Sequence, residues 1–193
     1  MYSIYREKND MLEINGVEYR INASFDNILN LIDLLAEKIP DQQKLDIAIQ
    51  LLFGVDMHIE LSEKYQVFNH IMDEYVNQKV EKPVKIDLEG NEMPIAEYDE
   101  DRKAYYSLQH DAKYIYAAFR QAYNINLFEE QGKLHWFDFQ ALLTSLPEDT
   151  KFKEIIKIRS WKPKKGDSSE FKAAMREAQK QVELPEQEGV NDE

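Results

Sequence analysis

Apolar residues return at every third or fourth position in one stretch of this chain after another, and most stretches are closed by proline or glycine. Phe25, Ile28, Leu29, Ile32, Leu35 and Ile39 fall on one face of a helix over residues 25–39, which Ser24 can cap and Pro40 ends. Leu45, Ile49, Leu52 and Phe53 mark a second helix over 41–53, stopped by Gly54. Tyr65, Phe68, Ile71, Met72 and Tyr75 mark a third over 62–76. Further along, Tyr105, Leu108, Ala112, Ile115, Tyr116, Phe119 and Tyr123 outline a helix that starts at Asp99 and breaks near His110. Residues 134–146 form another, and Thr150 caps one from Lys151 to Trp161. Ser169 caps a last helix from Glu170 to Val182, whose stripe of Phe171, Ala174, Met175 and Ala178 is too narrow to stand alone.

A helix with a single apolar stripe has to bury it against another element, so the pattern predicts a mainly α protein built as a helical bundle. Two features modify it. Asn15-Gly16 between two short apolar runs predicts a small N-terminal β-hairpin, because both positions of its tight turn need positive φ. Pro163 within a Lys-Pro-Lys-Lys-Gly sequence separates off an extended C-terminal helix. The organisation expected is a hairpin with a helical unit over 1–78, a proline-bounded linker over 79–98, an aromatic-rich helical unit over 99–161, a basic helix over 162–182, and a disordered acidic tail over 183–193. With 193 residues, 43% of them hydrophobic, the chain has material for a real core but not for two large independent domains.

Charge is unevenly placed. The formal net charge is −13, yet residues 151–180 carry ten Lys and Arg against four acids. The acidic balance argues against general binding to nucleic acid or anionic membrane. The basic stretch interleaves cations with aromatic rings, a pattern that suits docking on an acidic protein surface, a second copy included, ahead of a solvated face and ahead of nucleic acid. The contact residues expected are Lys157, Arg159, Trp161, Lys162, Lys164, Lys165, Phe171, Met175 and Arg176. No run of about 18 apolar residues spans a membrane, the start is not a secretion signal, and cysteine is absent, which together read as a cytoplasmic protein.

Signs of chemistry are weak. His58, His70, His110 and His135 do not form the helical pair of a hydrolytic zinc site. His58 with Glu60, His110 with Asp111, and the acidic run Glu97 to Asp101 are better read as surface and helix-start residues than as metal ligands. Neither a Gly-x-Ser-x-Gly nucleophile turn nor a phosphate-cradling glycine loop occurs. No catalytic residue, metal ligand or cofactor is assigned, and the chain reads as a non-enzyme.

The segment His135-Trp136-Phe137-Asp138-Phe139 puts Trp136, Phe139 and Leu143 on one face, expected to pack as core on Ile115 and Phe119. Together with Tyr114-Ile115-Tyr116-Ala117-Ala118-Phe119, Ala122 to Leu127, Leu146-Pro147-Glu148-Asp149-Thr150 and Ile158-Arg159, this box resembles the gene-product-fifteen family of long-tailed bacteriophages and prophages of Gram-positive bacteria. The blocks cover about a third of the chain. It departs from the family pattern in extra sequence over 101–110 and in Phe137, where a second Trp is expected.

The resemblance implies a tail assembly chaperone, encoded between the tail tube and tape-measure genes. Such a protein binds the tape-measure protein, helps recruit tail tube subunits, works in the cytoplasm of the bacterial host and leaves before the virion is complete. A structural tail or head-tail component retained in the particle is the second reading, and an unrecognised nucleic-acid binder the third.

Overall fold

A computed structural model describes residues 8–76 and 105–185. Among them lie a two-stranded hairpin and seven α-helices, so the fold is mainly α with a small N-terminal hairpin. The proposed linker over 79–98 and the acidic run at 97–101 lie outside the described residues, as does the tail beyond Pro185. The chain is divided between two compact units. One draws on Met1–Glu81 and Leu127–Thr144, the other on Lys82–Asn126 and Ser145–Glu193.

The first unit begins with strands β1 (Met11–Ile14) and β2 (Val17–Arg20), antiparallel with Ile14 opposite Val17. Asn15 and Gly16 take φ of 52° and 77°, the left-handed geometry that a two-residue turn demands. Helices α1 (Phe25–Ala36), α2 (Asp41–Phe53) and α3 (Leu61–Ile71) follow, α1 packing on α2 and α2 on α3. Helix α1 stops at Ala36, short of Ile39, and Gly54 closes α2 at φ 68°. Helix α3 starts from a reciprocal box in which the Glu60 and Glu63 side chains each satisfy the other's backbone N–H. A π-helical stretch, Met72–Val76, continues it and buries Tyr75.

Helix α5 (Trp136–Thr144) also belongs to the first unit and packs on α1. Its buried face is Trp136, Phe139 and Leu143, as the periodicity predicts, and within the unit it gathers rings from Phe25 and Tyr75. Phe139 stacks on Phe25 at 5.0 Å and on Trp136 at 5.7 Å, while Phe137 stacks on Tyr75 at 5.3 Å. The cause is a short backbone pairing. The Phe25 N–H donates to the Leu134 carbonyl at 2.9 Å and the Trp136 N–H to the Ala23 carbonyl at 2.8 Å, which clips the start of this helix to the start of α1. Ser24 stands at the N-cap position of α1, but its hydroxyl donates to Asn22 instead of capping.

Four further polar contacts fix the box. The Trp136 Nε1–H donates to the Tyr75 carbonyl at 2.8 Å. The Tyr75 hydroxyl donates to Asp10 at 3.0 Å, and burial together with that carboxylate pushes the phenol well above its ordinary range. His135 Nδ1 accepts from the Phe137 N–H at 3.1 Å, which leaves Nε2 to carry the proton facing Asp10 at 3.1 Å.

The second unit contains α4 (Ala112–Tyr123), α6 (Lys151–Ser160) and α7 (Ser169–Gln181). Among the described residues of the long helix expected from Asp99, helix is present from Ala112 onward, while residues 105–111 form turns that end on the Asp111 carboxylate. Helices α4 and α6 pack together over Ile115, Ala118, Phe119, Phe152 and Ile155. Thr150 caps α6 as predicted, accepting from the Lys153 N–H, whereas the cap of α7 is Ser168, one residue before the serine expected.

Trp136→Ala should cost about 3–5 kcal/mol, since it removes a ring that is 3% exposed and leaves the Tyr75 carbonyl without its donor. Urea unfolding followed by far-UV circular dichroism measures this; a loss below about 1 kcal/mol would mean the box is not core.

Candidate contact surface

The basic stretch singled out in the sequence forms α6, a short connection, and α7. Helix α7 has no buried residue, so its position depends on what it shares with α6. The two helices satisfy each other's ends. Helix α6 leaves its last carbonyls without intrahelical donors, and the Gln179 amide reaches back from α7 to those of Ile158, Arg159 and Trp161, at 3.0, 3.3 and 2.9 Å. In the other direction Arg159 Nε donates to the Val182 carbonyl just past α7. Trp161 and Phe171 meet edge to face at 5.9 Å across the same corner.

Arg159 does more than join two helices. Its guanidinium forks onto Asp111, Nη1 to Oδ2 at 2.6 Å and Nη2 to Oδ1 at 2.9 Å, and Nη1 also donates to the Tyr105 carbonyl at 3.1 Å. The pair is nearly dry, with side chains 10% and 2% exposed. Burial pushes the Asp111 carboxyl up, but hydrogen bonds from Arg159 and from the Ser107 N–H, with the guanidinium charge, outweigh it and hold the group below its ordinary range. The edge-to-face contact of Tyr106 with Phe152, at 5.5 Å, closes the same corner.

This geometry corrects one member of the expected contact set. Arg159 is an internal clamp, and both oxygens of Asp111 face it, which also removes Asp111 from the metal-ligand reading with His110. Lys157 stays exposed but pairs with Glu148 at 2.9 Å. Lys162, Lys164, Lys165, Phe171 and Arg176 are exposed, while Trp161 and Met175 are half-buried. The sequence reading missed two residues: Gln179, whose signal is a long amide beside the apolar stripe of α7, and Asp111, read only as a helix-start acid.

In the first unit a cleft of about 290 Å³ opens between β1 and α3, lined by Leu12, Ile14 and Val67 with Glu13, Glu63 and Gln66 around them. Leu12, Ile14 and Val67 belong to the apolar cluster around Leu45, Ile49 and Met57, so the cleft joins an apolar lining to polar residues that include Glu13, Glu63, Asn15 and His70. Among the described residues no group of three or more His, Cys, Asp or Glu is placed to hold a metal ion, and no helix is long and apolar enough to cross a membrane.

Compared with known protein families, the chain matches the model described as Bacteriophage Gp15 protein over residues 8–184. The chain belongs to this family. Comparison with curated proteins and with solved structures returns no match. The Gp15 match takes in residues of both units, and with them the aromatic box, the Arg159 clamp and all of α7, well beyond the third of the chain that carries the resemblance in the sequence.

Either Asp111→Asn or Arg159→Met should cost about 3–5 kcal/mol, because each leaves a buried polar partner unmatched. The double variant should lose less than the two single losses added together. The depressed carboxyl of Asp111 also sets a pH dependence. Its stabilisation is present in full above the ordinary carboxylate range, near pH 4, and disappears as pH falls through the folded value. Unfolding free energies measured from about pH 6 down to 2 should fall less steeply in Asp111→Asn than in the parent; parallel profiles would show that the clamp does not govern acid stability.

Proposed function

We propose that this chain is a non-catalytic tail assembly chaperone that binds the tape-measure protein and helps recruit tail tube subunits in the cytoplasm of the bacterial host. Membership of the phage Gp15 family over residues 8–184 carries the reading. The physical character of the first unit supports it. Its described residues hold sixteen acids against six bases, and they expose Met11, Val17, Val55, Leu61 and Tyr65. Scattered apolar contacts on a strongly acidic body suit a partner that must keep amphipathic helices dissolved and later let go of them.

Moderate affinity is part of the role. A chaperone that bound its client with a very slow off-rate would block the tube that has to replace it, so contacts spread over an exposed surface serve better than one deep anchor.

Co-expression with a tape-measure fragment should raise that fragment's soluble yield and bring the two through purification together; an unchanged yield without co-purification would refute the proposal. Mass spectrometry of purified virions should lack this chain. Its presence in stoichiometric amount would instead favour a structural component retained in the particle.

A further inference from the structure

The two units differ in charge as well as in fold. Where the described residues of the first carry sixteen acids against six bases, those of the second carry eight acids against twelve bases. At the corner between α6 and α7, exposed Lys162, Lys164 and Lys165 follow Trp161 in the connection, and the Trp161 ring meets that of Phe171. Phe171 is 47% exposed. An exposed ring on a basic corner calls for an apolar hollow with acidic residues in its lining.

The first unit has such a hollow. The cleft between β1 and α3 is lined by Leu12, Ile14 and Val67 together with two acidic residues, Glu13 and Glu63, and with Asn15, Gln66 and His70. Its volume, about 290 Å³, falls just under the range usual for small-molecule sites and suits an inserted side chain better than a ligand. Glu13 and Gln66 are exposed there, so the cleft is accessible.

We propose that the Trp161–Phe171 corner of one copy docks in the β1–α3 cleft of a second copy, with Lys164 and Lys165 facing Glu13 and Glu63. The occupant of the cleft is thus another molecule of this chain, chosen by charge complementarity and by the pairing of an exposed ring with an apolar lining. The two surfaces are different patches, so the contact is heterologous. The copy that docks by its corner keeps its own cleft open, the copy that receives it keeps its own corner free, and copies add head to tail into rings or open chains.

Heterologous docking allows a complementation test. Phe171→Glu spoils the corner and leaves the cleft intact. Glu13→Lys with Gln66→Arg spoils the cleft and leaves the corner intact. Sedimentation velocity should show the parent chain associating reversibly, with Kd rising about tenfold or more as salt rises from about 0.05 to 0.5 M. Each variant alone should stay monomeric, and an equimolar mixture should form a dimer that grows no further. Circular dichroism confirms that both are folded, and Lys164→Glu with Lys165→Glu replaces Phe171→Glu if that variant loses α7. A parent that is monomeric at every concentration, variants that still self-associate, or a mixture of folded variants that stays monomeric would each overturn the proposal.

Discussion

A guanidinium can leave water only where nearly all its donors are matched, and Arg159 meets that condition by drawing together three pieces of chain that are far apart in sequence. It holds Asp111 at the start of α4, the Tyr105 carbonyl before it, and the Val182 carbonyl after α7. The apolar core of the second unit is small, and α7 adds no buried side chain to it. Apolar burial therefore cannot choose which turn of α7 lies on α6. The hydrogen-bond geometry of Arg159 and Gln179 can, because a shift of one residue would take the Gln179 amide away from the α6 carbonyls and the Val182 carbonyl away from the Arg159 Nε–H.

The first unit obeys the same constraint with weaker charges. Asp10, Tyr75 and His135 come from its beginning, its middle and the segment that returns at residue 127, and they converge on one carboxylate oxygen. The Trp136 indole adds a third tie, to the Tyr75 carbonyl. Aromatic stacking supplies the burial, while these polar contacts supply the register, since ring stacking tolerates sliding and a hydrogen bond of about 3 Å does not.

Periodicity made the helices legible because each needs one apolar stripe, and the hairpin was legible because few dipeptides other than Asn-Gly accept two positive φ values in succession. Neither signal says what a buried face meets. Trp136, Phe139 and Leu143 were recognisable as core, yet their partners Phe25 and Tyr75 are set by a backbone pairing of Ala23–Phe25 with Leu134–Trp136 that leaves no mark in side-chain pattern. Ser24 shows a related limit: its position before α1 is right for a cap, but a neighbouring Asn22 oxygen competes for the hydroxyl. Arg159 was assigned to the surface because the residues around it are basic and exposed. Its partner lies 48 residues earlier, and nothing local in a charge run distinguishes the one cation that turns inward.

That inward turn changes what the basic stretch can do. With Arg159 committed to the fold and Lys157 paired to Glu148, the exposed part narrows to the corner around Trp161 and Phe171 and to the outer side of α7. A corner of this size buries far less than the roughly 1,600 Å² of a standard stable interface, so one such contact between copies is weak. Weak contacts gain strength when many act along one extended client, because each bound copy raises the effective concentration of the next. They also separate one at a time as a competing structure advances along the client. For a protein proposed to yield its place to a growing tube, a clamp that is strong within each unit and a corner that is weak between copies are complementary: the first keeps the surface in shape, and the second keeps the assembly reversible.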